Sequence, residues 1–582
     1  MRAVVLVALL LVFAAPVIAL DTATRPVGPV LEWRAGDLAR FDASWLHVKF
    51  VEGSEIALVD GRLVSAGGAD LTSVAAVLDG AAQVRRTFPG PRDRYRDLQR
   101  RGEAAGGGRG PDLSLWFDVQ LAPDRAGLAA TLNALNALPV VEIAHPAPVC
   151  ENAVIRTDRP AAPHGDPDLR TPSYTHLQDY LYETPVGLDA PSAWAMAGGR
   201  GQGVKFIDVE LGWTWTHEDF DIFRQFYQGG VADLGYIDHG TAVLGEIMGQ
   251  DNGFGVTGFA PDVRWGTVAI TVDEWPDVPH YFQQAIDHLD AGDVWLIELQ
   301  MYPPGRDATP MEWLQVNYDV IWTGCWAEGV VCVEAGANGS QNLDDAGWGG
   351  VFDRTVRRLG RHHGGRRHPY RPRGRVVHQL RQPHDVHAWG SSIVTTGYGD
   401  LYNGGSPASH YTAGFGGTSG ASPMITGSAI CLQGIAKVSL GAPLSPSDLR
   451  ALLHDTGIPH LGSQLIGPRP DLGAAAAQLV DITAAEGEAA PGGLSLTSAL
   501  SPFSHETAIR FRQAVPGAVR LDIYDVAGRH VRSLEAGPAD VGPRVLQWDG
   551  RNAGGREVGS GVYLFRLSAG GEAVSGRLVK VR

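Results

Sequence analysis

The clearest chemical pattern in the chain is residues 415–423, with the sequence Phe-Gly-Gly-Thr-Ser-Gly-Ala-Ser-Pro. Small residues flank Ser419, so the backbone can turn tightly and a substrate can come close to the hydroxyl. The apolar run that follows, residues 424–435, is predicted to be a buried helix. A helix N-terminus offers N–H groups and partial positive charge to a developing oxyanion. The stretch predicts a serine nucleophile, although Gly-Thr-Ser-Gly also occurs in ordinary turns.

Three earlier stretches could complete a catalytic site around this serine. Residues 204–208, Val-Lys-Phe-Ile-Asp, are typical of a short strand ending at Asp208. Residues 238–243, Asp-His-Gly-Thr-Ala-Val, place His239 at the start of a predicted helix. Residues 330–339 predict a strand that runs into a loop carrying Asn338. The order acid, His, Ser is one of the known triad orders, whereas α/β-hydrolases have Ser, acid, His.

Together these motifs resemble those of the subtilisin-like serine peptidases (subtilases), over roughly residues 180–480. The resemblance implies a secreted endopeptidase whose triad is Asp208, His239 and Ser419, with Asn338 as the oxyanion-hole side chain. It implies that His239 takes the proton of Ser419 and that Asp208 holds the histidine ring. Peptide bonds would be hydrolysed through an acyl-enzyme intermediate, with proteins or peptides as substrates.

Two features stay open, namely the register of Asn338 and the binding of calcium. The family usually has Ala-Gly-Asn at the oxyanion position, whereas this chain has Ala-Gly-Ala-Asn-Gly, which puts the register of Asn338 in question. The chemistry requires no cofactor. Subtilases often bind structural Ca²⁺, and Asp344 and Asp345 are available, but no ligand set can be named.

Two other functions fit parts of the pattern. A secreted esterase of the α/β-hydrolase type could use Ser419 with Asp455 and His460, but Ala421 departs from the Gly-x-Ser-x-Gly pattern of that class. A catalytically inactive surface binding protein could keep the same scaffold. Esterase activity would survive loss of Asp208 and His239, whereas an inactive scaffold would show none.

The chain divides into several predicted units. Residues 42–148 alternate strand and helix patterns and resemble the α+β propeptide of subtilases, with an unrelated binding domain as the alternative. Residues 149–174 are predicted to be a linker in which propeptide cleavage falls. Residues 175–482 predict an α/β domain with a parallel sheet, the subtilisin-like catalytic domain. Residues 495–582 carry short alternating strands that predict an antiparallel β-sandwich.

The C-terminal unit carries Tyr-Asp-Val-Ala-Gly-Arg from residue 524, then Trp-Asp-Gly and Ser-Gly-Val-Tyr. This pattern resembles the immunoglobulin-like domains of secreted bacterial proteins, related to flagellar hook-capping and type IX sorting domains. The resemblance implies a role in surface retention, sorting or spacing, with export or sorting machinery as the partner.

Composition and the N-terminus predict an exported protein. Residues 1–19 have a basic residue, an apolar core and small residues before a predicted cut, as in a secretory signal peptide. No later run is long enough to predict a membrane span. The net charge of −16 argues against nucleic-acid binding. Four cysteines without a metal-binding pattern favour buried thiols or at most one disulfide.

Residues 354–384 do not fit this domain plan, because they hold ten Arg, five His and no acid where a core strand belongs. A basic patch for polyanions is one interpretation. Reading the possible codons one base later permits a strand and a Ser-Phe-Thr-Asn-Tyr-Gly segment typical of subtilases. We therefore hypothesise two compensating frame shifts. The literal sequence would be expected to lose a central strand.

Overall fold

The structure is a computed structural model. It describes residues 25–580 except for gaps at 154–159, 161, 164–169, 272–274, 354–361, 368–385, 461–465, 485–493, 500–502, 504–505, 514–515, 526–528, 540–541, 560 and 571. The predicted signal peptide over residues 1–19 lies outside the described residues, and so do parts of the predicted linker.

The N-terminal domain is built on a four-stranded antiparallel sheet with the order β4-β5-β1-β6. Its elements are β1 (Phe41–Phe50), β2 (Ile56–Val59), β3 (Arg62–Ser65), β4 (Gln83–Arg86), β5 (Trp116–Gln120), β6 (Val141–Pro148), α1 (Thr72–Val77), α2 (Arg92–Ala104) and α3 (Arg125–Asn136). Leu46, Val48 and Phe50 alternate along β1 and are fully buried, as the period of a strand requires. The glycine-rich stretch 102–110 begins inside α2.

The central domain is built on a seven-stranded parallel sheet with the order β16-β15-β14-β11-β8-β10-β9. The strands of this domain, with the short strand β7 that precedes it, are β7 (Glu151–Asn152), β8 (Lys205–Glu210), β9 (Gln225–Gly229), β10 (Arg264–Ala269), β11 (Val294–Ile297), β12 (Leu299–Met301), β13 (Thr309–Pro310), β14 (Val331–Ala335), β15 (His362–Arg367), β16 (Val386–Trp389), β17 (Ile393–Thr396), β18 (Tyr402–Asn403) and β19 (His410–Phe415). Its helices are α4 (Ala190–Trp194), α5 (Ile237–Met248), α6 (Val278–Ile286), α7 (Gln315–Trp322), α8 (Thr418–Ser439), α9 (Pro446–Asp455) and α10 (Leu472–Ala484). The predicted parallel-sheet α/β architecture is therefore present.

The anomalous stretch contributes one strand to this sheet. The backbone of β15 lies between β14 and β16 and pairs in parallel with both. The expectation that the literal sequence loses a central strand is therefore wrong for the backbone. The rest of residues 354–384 lies outside the described residues, and the frame-shift hypothesis stays a hypothesis.

The C-terminal domain consists of two antiparallel sheets with the orders β20-β21-β24 and β23-β22-β25-β26. Its strands are β20 (Ser495–Ala499), β21 (Thr507–Gln513), β22 (Gly517–Asp525), β23 (His530–Ala539), β24 (Gly542–Trp548), β25 (Gly561–Ala569) and β26 (Glu572–Lys580). Phe511, Leu521, Trp548 and Phe565 are buried in one core shared by both sheets. This arrangement is the sandwich that the alternating strands predict.

A group of buried charges, here called the interface ion cluster, joins the N-terminal domain to α7. The cluster consists of Arg25, Lys49, Glu52, Glu142 and Asp319. Arg25 donates to Glu142 Oε2 at 2.5 Å and to Asp319 Oδ1 at 2.6 Å. Lys49 pairs with Glu52 and lies 3.2 Å from Glu142. Each carboxylate of the cluster therefore has a cationic partner.

The same interface has a close contact between glycines and an indole ring. A Cβ added at Gly102 or Gly110 would come within 2.3 Å of the Trp322 ring. Trp322 is only 2% exposed, and its Nε1 donates to the carbonyl of Gly107 at 3.0 Å. Glycine is needed at these positions because any side chain would displace the ring.

The four cysteines form no disulfide, and all are buried. Among the described residues, no helix is long and apolar enough to cross a bilayer.

Candidate active site

Ser419 lies at the start of the long buried helix, as its flanking residues predict. β19 ends at Phe415, and α8 begins at Thr418 after Gly417, whose φ of +92° is strained for any residue with a side chain. Ser419 is fully buried, and the Glu298 carboxyl lies near enough for the Ser419 hydroxyl to lower its pKa. The hydroxyl is therefore held beside the N–H groups of a helix and close to a buried acid.

His239 is the third residue of α5, also as predicted. Its Nδ1 lies 2.5 Å from Oε2 of Glu210, and both side chains are buried. Its Nε2 makes no hydrogen bond among the described residues. The centre of the imidazole ring lies 5.6 Å from that of Phe415, which ends the strand before the Ser419 turn. One ring nitrogen is thus fixed by a carboxyl group while the other is available.

The carboxyl group that holds His239 belongs to Glu210 and not to Asp208. β8 continues two residues beyond Asp208, so both acids project from the same face of the strand. Asp208 Oδ2 instead accepts a hydrogen bond of 2.7 Å from Trp213 Nε1. Sequence reasoning missed Glu210 because it ended the strand at Asp208. The two-residue period of a strand was the signal that could have found it.

Asn338 lies in the loop after β14, where Ala337 takes a left-handed conformation with φ of +61°. The Asn338 Oδ1 accepts from the backbone N–H of Thr418 at 3.1 Å, which ties the loop to the start of α8. Its Nδ2 is buried and has no hydrogen-bond partner among the described residues. The amide therefore adjoins the nucleophile helix with an unused donor.

Four buried acids, here called the carboxyl cluster, lie on β8, on α5 and between β11 and β12. They are Asp208, Glu210, Glu246 and Glu298, and each is fully buried. Burial raises the pKa of each carboxyl well above its usual range, and the acids raise one another's pKa further: Glu210 acts on Asp208, and Glu298 acts on Glu210 and Glu246. Ser422 donates a short hydrogen bond to Glu298. Among the described residues, the side-chain hydrogen bonds of these four acids involve no lysine or arginine.

Burial acts on the histidine in the opposite direction. It lowers the pKa of His239 to about 3. Burial therefore disfavours charge on both partners of the His239–Glu210 pair. For Nε2 to act as a base, Nδ1 must carry the ring proton and donate it to an ionised Glu210, which can then stabilise the ring when Nε2 takes up a second proton.

A segment of the chain itself lies across this site. β7 pairs antiparallel with β12, with Asn152 opposite Leu299 and Glu151 opposite Gln300. The next residue, Ala153, donates its N–H to the Glu298 carbonyl at 3.4 Å and accepts at its own carbonyl from Ser419 N–H at 3.1 Å. A backbone carbonyl is therefore placed at the N–H of the candidate nucleophile.

The other sequence-derived candidates lie elsewhere. Asp455 accepts a hydrogen bond of 2.8 Å from His454, and the ring of His460 lies beside that of His387. Within the described residues there is no group of three His, Cys, Asp or Glu side chains that could hold a metal ion. Asp345 instead accepts from the N–H of Gly347 in its own loop.

Comparison with known proteins gives a family match for the C-terminal domain and likenesses to solved structures, two of which are described here. The FlgD Ig-like domain matches residues 498–572, which confirms the predicted character of the C-terminal domain. Fervidolysin from Fervidobacterium pennivorans, a keratinolytic enzyme related to subtilisin, is 16% identical with a TM-score of 0.48, covering 97% of this chain and 80% of that one. A protease from Pseudoalteromonas arctica PAMC 21717 is 19% identical with a TM-score of 0.40, covering 53% of this chain and all of that one. No curated protein matches the sequence.

Proposed function

We propose that the protein is a secreted serine endopeptidase in which Ser419 is the nucleophile, His239 the general base and Glu210 the acid that orients His239. The observation that carries the proposal is the placement of a strand-paired peptide carbonyl, that of Ala153, at the N–H of Ser419. A peptide bond held in this way is positioned as a substrate. Asp208, the acid expected from the sequence, would support the site through its neighbour and not by contact with His239.

The chemistry follows from these positions. His239 Nε2 takes the proton of Ser419 Oγ as the oxygen attacks a peptide carbonyl, and Glu210 stabilises the imidazolium at Nδ1. The N–H of Ser419 and the unused Nδ2 of Asn338 would bind the oxyanion, and one such donor typically contributes about 3 kcal/mol. The protonated His239 then gives its proton to the leaving amine.

Labelling with a fluorophosphonate probe tests the proposal. We expect the exported protein to take up one label on Ser419 and Ser419→Ala to take up none. Ser428→Ala is the matched control, because Ser428 lies in the same helix and only donates to the carbonyl of Met424. His239→Ala should slow the labelling strongly. An unlabelled wild-type protein would refute the proposal, and labelling that survives His239→Ala unchanged would favour the esterase alternative.

The C-terminal domain extends the proposal to location. Its likeness to the FlgD Ig-like domain and the predicted signal peptide support an exported protein whose sandwich serves sorting or surface retention. Deleting residues 495–582 should then move the peptidase from the cell surface into the medium without changing the rate at which Ser419 is labelled.

A further inference from the structure

We infer that Gln300 and Tyr302 form a subsite for a glutamate side chain, and that the peptidase selects strands carrying Glu two residues before the residue whose carbonyl is attacked. The first such bond is the chain's own, between Ala153 and Val154. This inference rests on the proposed function and names its substrate class.

Two neutral donors converge on one carboxylate at this subsite. Gln300 Nε2 donates to Glu151 Oε1 at 2.8 Å, and the Tyr302 hydroxyl donates a short hydrogen bond to the same oxygen. Burial and the neighbouring Glu151 raise the pKa of Tyr302 to about 12, so the phenol keeps its proton. The guanidinium of Arg40 lies 4.3 Å from the centre of the Tyr302 ring. The surroundings therefore favour a negatively charged guest.

The orientation of Gln300 makes the subsite selective. Its Oε1 accepts from the backbone N–H of Asn338 at 2.9 Å, so its NH₂ group is the part presented to the substrate. An acceptor in the substrate side chain satisfies both Gln300 and Tyr302, whereas a side chain without one leaves the buried Gln300 Nε2 with only a long bond of 3.4 Å to the Tyr302 hydroxyl. Because Asn338 also touches the start of α8, the subsite is tied directly to the oxyanion side of the site.

The neighbouring positions fit the same strand. Asn152 Nδ2 donates to Glu210 Oε2 at 3.2 Å, so the residue before the attacked one touches the acid that holds His239. Ala153 is fully buried, so its surroundings fit a small side chain. The sequence Glu-Asn-Ala before the cleaved bond is thus accounted for by contacts at each position.

Cleavage of this bond is an ordinary acyl transfer, in which each bond formed and each proton moved is accounted for. Ser419 Oγ bonds to the Ala153 carbonyl carbon as its proton passes to His239 Nε2. The bond to the Val154 nitrogen breaks, and that nitrogen takes the proton from His239. Water then attacks the ester, gives its proton to His239, and releases the Ala153 carboxylate while Ser419 regains its proton.

The test is a double-mutant cycle on the full-length chain. The rate at which a new N-terminus appears at Val154 is measured during refolding for wild type, Glu151→Gln, Tyr302→Phe and the double variant. We expect Tyr302→Phe to slow cleavage by about tenfold to a hundredfold, since it removes a charged hydrogen bond, and Glu151→Gln by about fivefold to tenfold, since Gln keeps the acceptor oxygen but loses the charge. The double variant should be no slower than the slower single variant, because both changes remove one interaction. Glu32→Gln, at an exposed position of the N-terminal domain, is the control and should cleave like wild type.

Three outcomes would overturn the inference. They are a first cut at another bond, no slowing in Glu151→Gln, and single effects that multiply in the double variant. In each case a labelled Ser419 would leave the proposed function standing. An unlabelled Ser419 with no cleavage would refute both.

Discussion

Acidic side chains are buried in two regions of this molecule, and their pKa values are shifted in opposite directions in the two regions. In the interface ion cluster, Glu142 lies between Arg25 and Lys49. Burial opposes its charge, but the two cations outweigh burial and lower its pKa to about 2. In the carboxyl cluster, burial is joined by repulsion between acids, and the pKa values rise. The interface ion cluster is thus built to hold charge, whereas burial and mutual repulsion oppose charge in the carboxyl cluster.

The largest effect is expected on the labelling rate, when the carboxyl cluster is altered at Glu210. Glu210→Gln keeps the size of the side chain but removes the group that stabilises the His239 imidazolium. We expect the fluorophosphonate labelling rate to fall by about 10⁴-fold, as when a triad acid is replaced by its amide. Asp208→Asn is the matched variant on the same strand and should lose about tenfold or less. A larger loss in Asp208→Asn would instead make Asp208 the triad acid.

The second effect is expected on stability, when the interface ion cluster is altered at Asp319. Asp319→Asn, made in the Ser419→Ala chain so that the protein stays in one piece, leaves Arg25 partly unpaired in a buried place. We expect the free energy of unfolding of the unit containing this interface to fall by about 3–5 kcal/mol in denaturant titrations. Arg101→Ala removes the exposed pair with Glu328 at the same interface and should cost less than about 1 kcal/mol. Equal effects of the two changes would contradict the argument from burial.

The third effect is a dependence on pH at Glu142. Its folded pKa of about 2 lies below its usual value of 4.5, a difference that corresponds to about 3 kcal/mol. This stability is present above pH 4.5 and is lost as the pH falls toward 2. Glu142→Gln in the Ser419→Ala chain should therefore destabilise the protein by about 3 kcal/mol at pH 7 and by much less at pH 3. A destabilisation that does not change with pH would show that charge is not the cause.

The smallest effect has the opposite sign and comes from Glu246. Both of its carboxyl oxygens lack a hydrogen-bond partner among the described residues, and burial raises its pKa. A raised folded pKa contributes stability only at low pH, and that contribution is lost as the pH rises above 4.5. Glu246→Gln should then stabilise the protein by about 1–3 kcal/mol at pH 8 and change little at pH 4. A destabilised variant at pH 8 would show that the carboxylate has a partner.

The two regions also differ in how much the sequence alone could predict. Ser419 and His239 were predictable because each lies at the start of a helix that the neighbouring residues in the sequence predict. Glu210 was not, since the choice between two acids on one strand face depends on where α5 places His239. The interface ion cluster joins Arg25 to Asp319 across almost 300 residues. No local pattern encodes such a pair. The placement of Ala153 at Ser419 is likewise set by tertiary packing and lies outside any motif.

The packing of Trp322 against the glycines of the N-terminal domain means that release of this domain can be followed by tryptophan fluorescence. Its indole is shielded from water only while that domain stays docked. Once the peptide bond after Ala153 is cut and the domain departs, the ring would face solvent and its fluorescence emission would move to longer wavelength. The chain thus carries an optical probe of activation among its fifteen tryptophans, and Trp322→Phe would reduce the shift without touching the catalytic residues.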